Sequence, residues 1–265
     1  MVAPGSSVIV ADNASKLFLD GTVVAFRQLS LDVRRDEILC IVGPSGCGKT
    51  TFLRCIAGLT EINTGQLLVQ GKPVSGPPDG VAMVFQEFDQ LLPWKTVKEN
   101  VVFPLRASGK LSGKAALDKA MEYIAKVNLT PFADSLPHTL SGGMKQRVAI
   151  ARGMAMEPDV LLMDEPFAAL DALTRRKMQD ELLQLWDDTR FTVLFVTHSI
   201  NEAILIGNRI LLLSPHPGQV KAEINSLPRG GASTPAFKAL EDRIHAMLFS
   251  DPVEDKGAAS PRAEV

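Results

Sequence analysis

The sequence predicts an α/β fold, with an antiparallel β layer near the N-terminus and a helical subdomain inserted later in the chain. Three observations support this prediction. Continuous apolar runs alternate with helical patterns, residues 6–35 alternate in polarity, and residues 87–140 have a helical pattern. The 265 residues are 46% hydrophobic and 22% charged, which is ordinary for a globular chain that buries a sizeable core.

Short apolar runs predict the strands of the main sheet. Runs that are apolar throughout are typical of strands buried on both faces, and therefore of a parallel sheet. The first run ends at a glycine-rich turn, and the segment after that turn, residues 51–59, predicts a helix. The apolar runs lie at residues 38–42, 81–85, 160–163, 192–196 and 210–213.

The remaining segments predict turns, helices and domain boundaries. Asp20 and Gly21 mark a turn in the N-terminal layer, and Leu117, Ala120 and Ile124 have helical spacing within a predicted helix over residues 115–127. Pro235 suits the first turn of a further helix that ends near Phe249. The predicted units are a main domain over 6–228, its helical subdomain at about 87–157, a helical extension over 229–250 and a disordered tail over 251–265.

Charge and cysteine content argue against several classes of protein. The net charge is −2 and the pI is near 6.1, so no basic field favours nucleic acid as a partner. No apolar run approaches the roughly 20 residues of a membrane helix, and the N-terminus lacks the basic start of a secretory signal. Cys40, Cys47 and Cys55 predict reduced thiols rather than a disulfide framework or a zinc site.

A glycine-rich loop follows the first predicted strand. Residues 43–50 read Gly-Pro-Ser-Gly-Cys-Gly-Lys-Thr and match the phosphate-loop pattern G-x-x-x-x-G-K-[ST]. Glycines let backbone N–H groups turn toward phosphate oxygens, and the N-terminus of the next helix adds partial positive charge. Lys49 is expected to reach the β- and γ-phosphates, and the hydroxyl of Thr50 to bind Mg²⁺. Cys47 is interpreted as a small space-filling residue, with a reactive thiolate as the alternative.

Two carboxylates end a later apolar run. Asp164 and Glu165 directly follow residues 160–163. At the end of a buried strand, the first carboxylate is suited to share Mg²⁺ with Thr50, and the second to polarise an attacking water as a general base. An apolar run that ends in Asp-Glu is a weak signal alone, and it gains weight from the phosphate loop.

A second glycine motif identifies the family. Residues 140–146 read Leu-Ser-Gly-Gly-Met-Lys-Gln, in which Ser141 is suited to cap a helix. With the phosphate loop before it, this stretch resembles the Leu-Ser-Gly-Gly-Gln signature of ABC transporter nucleotide-binding subunits, from which Met144 departs. The resemblance covers about residues 8–228 and implies a P-loop NTPase core of the RecA-like type.

Further landmarks of that family match in order. Phe18 stands where members have an aromatic ring that stacks on adenine, with a core phenylalanine as the alternative. Gln86 resembles the Q-loop glutamine, and His198 resembles the histidine that contacts the γ-phosphate. Asp171 belongs to a D-loop in which Ala168 replaces the common serine, which puts a hydroxyl role there in doubt.

The resemblance implies three sets of site residues. The catalytic residues would be Lys49, Gln86, Glu165 and His198, and the Mg²⁺ ligands would be Thr50, Gln86 and Asp164. The residues that bind ATP would be Phe18, Gly43, Pro44, Ser45, Gly46, Cys47, Gly48, Lys49, Thr50 and Thr51.

The resemblance also implies partners. Members of the family hydrolyse ATP as head-to-tail dimers, so Ser141, Gly142 and Gly143 would act in trans on the partner's nucleotide, with Asp171 in the D-loop beside them. The transported solute would cross through separate integral membrane permease subunits and would be delivered by a solute-binding protein. The chain would then lie peripherally on the cytoplasmic face of the inner membrane of a bacterium.

One branch of the family fits best. The sequence Leu-Leu-Pro-Trp at 91–94, Met144 in the signature and Ser-Pro-His-Pro-Gly at 214–218 resemble the nitrate, sulfonate and taurine importers, although His216 replaces a common arginine. Trp94 is either a docking residue for the permease or a core residue. A non-transport ABC ATPase and a P-loop small-molecule kinase are the competing functions; the kinase would lack the signature at 140–146.

Overall fold

The computed structural model describes residues 7–19, 21–86, 90–227 and 234–249. Over these residues the chain forms two β-sheets and a set of helices. The strands are β1 (Ser7–Phe18), β2 (Val23–Arg34), β3 (Ile38–Val42), β4 (Thr64–Val69), β5 (Lys72–Pro73), β6 (Val81–Val84), β7 (Val160–Asp164), β8 (Thr192–Thr197), β9 (Arg209–Leu213) and β10 (Val220–Asn225). The helices are α1 (Lys49–Ile56), α2 (Val97–Ala107), α3 (Gly113–Lys126), α4 (Gly142–Ala155), α5 (Ala172–Thr189), α6 (Ile200–Ile206) and α7 (Pro235–Phe249).

A six-stranded sheet with the order β10-β9-β3-β8-β7-β6 forms the centre of the molecule. Neighbouring strands pair in parallel, except that β10 pairs with β9 in the antiparallel direction. Every residue of β3, β7, β8 and β9 is buried, as the apolar runs predict. Because these strands are parallel, the loops that follow them meet at one edge of the sheet.

A four-stranded antiparallel sheet with the order β2-β1-β4-β5 forms the second layer. The predicted N-terminal β layer is therefore confirmed. Residues 64–73 extend it through β4 and β5, two strands that the sequence pattern did not predict. Of the predicted turn, Asp20 lies outside the described residues, whereas Gly21 has a φ of +93° that suits a glycine in a turn.

Side chains of the central sheet point alternately into two hydrophobic clusters. On β3, Cys40 belongs to a cluster shared with the helices α2 to α5, whereas Ile41 belongs to a cluster shared with the antiparallel sheet. This alternation is the two-residue period of a strand. Helix α1 joins the second cluster, where the ring of Phe52 meets the ring of Phe26 edge-on with centroids 5.5 Å apart.

Helices α2, α3 and α4 pack against one another and form the helical part of the fold. The predicted helix over 115–127 is observed as α3. Ala120 and Ile124 are buried as its spacing predicts, but Leu117 is exposed, because the buried face turns toward Ala116 and Tyr123. The boundaries of the helical subdomain stay a prediction, and its first residues, 87–89, lie outside the described residues.

The C-terminal helix α7 has the bounds that the sequence predicts. It packs against α6 and buries Leu240, Ile244 and Leu248. The predicted tail over 251–265 and most of the linker before α7 lie outside the described residues, so the domain boundaries stay a prediction. Within the described ranges, no helix has both the length and the apolar character needed to cross a bilayer.

A buried arginine links the two sheets. Arg209 of β9 is 3% exposed, and its guanidinium lies 3.0 Å from Glu37 and 3.1 Å from Glu223. It also donates a hydrogen bond to the carbonyl oxygen of Asp32 on β2. Burial raises the pKa of the Glu37 carboxyl, so the charge of that carboxylate depends on its partners.

Substitution of this arginine is expected to destabilise the fold. Arg209→Met removes the cation and leaves Glu37 buried, which should lower the free energy of unfolding by about 3–5 kcal/mol. Arg176→Met is the matched control, because Arg176 pairs with Asp180 on the surface and should cost less than about 1 kcal/mol. Urea denaturation measures both losses. Equal losses for the two variants would contradict a central role for Arg209.

Candidate nucleotide and catalytic site

The phosphate loop lies between β3 and α1 at the carboxyl edge of the parallel sheet. Helix α1 begins at Lys49, two residues before the predicted start, and its N-cap is Gly48 with a φ of +87°. A Cβ at Gly48 would lie 2.6 Å from the carbonyl oxygen of Ala25 on β2. Only glycine allows the loop to approach β2 this closely. In this conformation the backbone N–H groups of the loop lie at the N-terminus of α1, where they are suited to bind an anion.

Lys49 is folded back along the loop. Its Nζ donates hydrogen bonds to the carbonyl oxygens of Gly43 at 2.7 Å and Pro44 at 2.9 Å, and the residue is buried. A buried ammonium group that is bonded to neutral carbonyls favours phosphate oxygens as partners, because charge-assisted hydrogen bonds are stronger. This geometry fits the predicted role of Lys49 toward the β- and γ-phosphates.

A cleft of about 560 Å³ opens beside the loop. Ten predicted residues line it: Phe18, Ser45, Gly46, Gly48, Lys49, Thr50, Thr51, Gln86, Glu165 and His198. Of the other predicted residues, Gly43, Pro44, Cys47 and Asp164 lie behind this surface, in contact with Lys49 or Thr50. Tertiary structure thus brings together residues from five separate segments of the chain.

Phe18 lies at the end of β1 and forms one wall of the cleft. Its side chain is 41% exposed, so the alternative of a core phenylalanine is wrong. The Nζ of Lys16 lies 4.9 Å from the centre of the ring. An exposed ring face in a nucleotide-sized cleft is suited to stack on a purine base.

Two candidate oxygen ligands for a metal ion lie side by side, Thr50 in the lining of the cleft and Asp164 behind it. The hydroxyl of Thr50 donates a hydrogen bond to Oδ1 of Asp164 over 3.1 Å, and Asp164 is 2% exposed. Burial raises the pKa of the Asp164 carboxyl, so a cation would stabilise its charged form. A hydroxyl and a carboxylate, completed by phosphate oxygens and waters, are the ligands that Mg²⁺ prefers. The residues therefore fit the ion.

Three predicted catalytic residues meet at one oxygen atom. Oε2 of Glu165 lies 2.9 Å from Nδ1 of His198 and accepts a hydrogen bond from Nε2 of Gln86 over 3.4 Å. Glu165 has a φ of +43°, which is unusual for a residue with a side chain, and its N–H donates to the carbonyl oxygen of Val196. Backbone strain of this kind is typical of functional sites. Here it turns the carboxylate out of β7 and into the cleft.

Cys47 lies beneath the loop and is fully buried. Burial raises the pKa of its thiol, and the opposing effect of Lys49, whose Nζ lies 3.8 Å from Sγ, is smaller. A buried thiol with a raised pKa is a poor nucleophile. This finding favours the space-filling interpretation over the reactive thiolate.

The signature motif occupies a different surface. Ser141 caps α4 by accepting a hydrogen bond from the N–H of Met144 over 3.3 Å, and Asp171 caps α5 by accepting one from Thr174 over 2.9 Å. The Thr174 bond lowers the pKa of Asp171. Gly143 leaves room for the side chain of Leu170, since a Cβ added at position 143 would lie 3.0 Å from a terminal methyl carbon of Leu170. Among the described residues, those that line the cleft include neither the signature glycines nor Asp171.

The cleft also contains residues that the site prediction missed, namely Val23, Ala25 and His216. His216 follows β9, and its Nδ1 lies 3.3 Å from the carbonyl oxygen of Gly46. Only the sheet topology could have indicated His216, because the loop after β9 emerges beside the loop after β3 once those strands pair.

For Trp94 the core alternative is wrong, since the side chain is 72% exposed.

Known proteins resemble the chain over most of its length. Residues 26–168 match the protein family described as "ABC transporter". The taurine import ATP-binding protein TauB of Rhizobium johnstonii is 40% identical over 92% of this chain and 97% of its own. The nitrate import ATP-binding protein NrtD of Synechocystis sp. is 43% identical over 86% of this chain and 85% of its own.

A solved structure has the same fold. It is the dimeric post-hydrolysis state of the ATP-binding cassette MJ0796 bound to ADP and phosphate, with a TM-score of 0.76 and 33% identity over 83% of this chain and 99% of that one. The predicted α/β fold of the P-loop NTPase type is thereby confirmed. Taken with the family match, these similarities show that the chain belongs to the ABC transporter family, as one of its ATP-binding ATPase subunits.

Proposed function

We propose that the chain binds and hydrolyses ATP with Mg²⁺ to power the uptake of a small anionic solute through separate membrane subunits. The observation that carries the catalytic part is the meeting of Gln86 and His198 at Oε2 of Glu165, beside the Thr50–Asp164 pair. The similarity to TauB and NrtD supports a solute of the taurine, sulfonate or nitrate type.

Binding of ATP would use the two ends of the cleft. Backbone N–H groups of residues 45–51 and the ammonium of Lys49 would hold the phosphates, while the ring of Phe18 would stack on adenine. Lys49 would exchange the carbonyl oxygens of Gly43 and Pro44 for phosphate oxygens. Thr50, Asp164 and Gln86 would hold Mg²⁺, which neutralises charge on the phosphates when it is bound.

Hydrolysis would proceed by attack of water on the γ-phosphorus. Glu165 would accept a proton from the water as the new oxygen–phosphorus bond forms and the bond to the β,γ-bridging oxygen breaks. His198, which lies 2.9 Å from this carboxylate, would orient it and contact the γ-phosphate. Gln86 would hold the same carboxylate and the attacking water in line.

A head-to-tail dimer would complete each site. Ser141, Gly142 and Gly143 lie at the N-terminus of α4, on a surface apart from the cleft of their own chain. A helix N-terminus stabilises negative charge, so this surface is suited to the γ-phosphate held by a second copy. The dimeric state of the ATP-binding cassette MJ0796 supports this arrangement.

The membrane partners would be integral permease subunits, to which this chain would bind peripherally at the cytoplasmic face of the inner membrane. Trp94 lies between the Q-loop and α2 and is 72% exposed, which suits an aromatic anchor in a docking surface. A solute-binding protein would select the solute and deliver it to the permease.

Affinity capture tests the transport part of the proposal. The tagged chain would be isolated from detergent-solubilised membranes of its own host, and its partners identified by mass spectrometry. Recovery of a polytopic membrane protein, with loss of that protein in a Trp94→Ala variant, is the expected result. Recovery of soluble partners alone would favour a non-transport ABC ATPase.

Removal of the general base should separate ATP binding from hydrolysis. Glu165→Gln keeps the shape of the side chain but cannot accept the proton, so hydrolysis should fall by at least about 100-fold while ATP still binds. The variant should accumulate as an ATP-dependent dimer in light scattering. Lys49→Ala is the control, because it should lose ATP binding itself. A Glu165→Gln variant that stays monomeric at saturating ATP would contradict the trans arrangement.

The buried thiol in the phosphate loop should be dispensable for chemistry. Cys47→Ala is expected to keep ATPase activity within about threefold of wild type, because a fully buried thiol with a raised pKa supplies no nucleophile. Iodoacetamide at pH 7.5 should modify Cys47 more slowly in the native protein than in urea. Phosphate release and mass spectrometry measure the two effects, and loss of all activity in Cys47→Ala would count against this interpretation.

A further inference from the structure

The side chain of Gln90 binds the backbone of Phe85, five residues earlier in the chain. Its Nε2 donates a hydrogen bond to the carbonyl oxygen of Phe85 over 2.8 Å, and its Oε1 accepts one from the N–H of Phe85 over 3.3 Å. One side-chain amide thus pairs with both polar groups of a single residue. Phe85 directly precedes Gln86, which contacts Glu165 in the cleft.

Two residues of the signature helix α4 also form hydrogen bonds with Phe85 and Gln90. Gln146, which is 1% exposed, donates from Nε2 to the carbonyl oxygen of Phe85 over 3.2 Å and accepts from Nε2 of Gln90 over 3.4 Å. Arg152 donates to the carbonyl oxygen of Gln90 over 2.7 Å and to its Oε1 over 3.2 Å. Burial lowers the pKa of the Arg152 guanidinium, so these bonds replace solvent around a desolvated cation.

The four residues Phe85, Gln90, Gln146 and Arg152 form what we call the Gln90 latch. Within it, each donor and acceptor of the Gln90 side-chain amide has a partner. An amide supplies two donors and an oxygen with two lone pairs, a combination that neither a carboxylate nor a hydrocarbon reproduces. A network that is satisfied throughout fixes one geometry, because any other leaves buried polar groups without partners.

The latch joins two functional parts of the chain. On one side, Gln86 reaches the carboxylate proposed to activate water, and on the other, α4 begins at the signature residue Ser141. We infer that Gln90 is a positioning residue for ATP hydrolysis, which holds Gln86 in register with the signature helix. This inference rests on the proposed function and adds residues outside the predicted motifs.

Two substitutions at Gln90 test the latch in the full-length protein. Gln90→Leu removes every side-chain bond of the latch at this position, and Gln90→Glu keeps the bonds accepted by Oε1 but loses the two donated by Nε2. Both should lower kcat for ATP hydrolysis by about tenfold, because small displacements of a positioning group cost this much. The Kd for ATP should stay within about twofold of wild type, since the latch does not touch the phosphate loop.

The control variant removes an amide of the same size elsewhere. Gln184 lies exposed on α5 and bonds to Asp188 one turn away, so Gln184→Leu should leave both kcat and Kd unchanged. The decisive readout is kcat per ATP-binding site, because general destabilisation would lower the total rate and the number of binding sites in the same proportion, whereas loss of the latch lowers the rate at each occupied site. Thermal unfolding and ATP titration of each variant report the fraction of active protein.

Each result has a definite meaning. A kcat per ATP-binding site within twofold of wild type in both Gln90 variants, with any loss of total rate matched by a loss of binding sites, would overturn the latch. Hydrolysis by the wild-type protein is measured first in the same assay. Its absence would overturn the proposed function, whereas normal hydrolysis in wild type and in Gln90→Leu would overturn the latch alone.

Discussion

The position of β3 in the centre of the parallel sheet is the constraint on which the rest of the molecule depends. β3 is fully buried and pairs with β8 on one side and β9 on the other, so its carboxyl end can only open at the same edge as theirs. The phosphate loop, His198 and His216 therefore emerge together, and β7 adds Asp164 and Glu165 one strand further along. The parallel direction of these strands thus brings the candidate site residues, which are far apart in the sequence, to one edge of the sheet.

Electrostatics then prepares this edge for a charged ligand. Asp164 is buried with a raised pKa beside the Thr50 hydroxyl, and the ammonium of Lys49 is held by two carbonyl oxygens. The ammonium of Lys49 and the carboxyl of Asp164 are thus both desolvated beside one cleft, and each is bonded to a neutral group. A triphosphate with a bound cation would stabilise both side chains in their charged forms. Glu165 is kept apart from this arrangement by its positive φ, which directs its carboxylate toward His198.

The helical part of the fold carries the signature and also contacts the chain next to Gln86. Helix α4 presents the signature at its N-terminus. Further along, its residues Gln146 and Arg152 donate hydrogen bonds to the backbone carbonyl oxygens of Phe85 and Gln90. If the latch acts as proposed, a rotation of this helix would displace Gln86, and a displacement of Gln86 would shift the helix that carries the signature. These bonds are partly buried, and each donor and acceptor of the Gln90 amide has a partner, which favours a single geometry of the network.

The sequence by itself determined what is local: the buried strands, the cap at Ser141 and the phosphate loop, since each depends on residues adjacent in the chain. It also predicted most residues of the cleft through their motifs. Only the tertiary structure decided that His216 lines the cleft, that Trp94 is exposed and that Gln90 binds α4. These are contacts between distant segments, and their distances follow from strand order and helix packing, which no local pattern encodes.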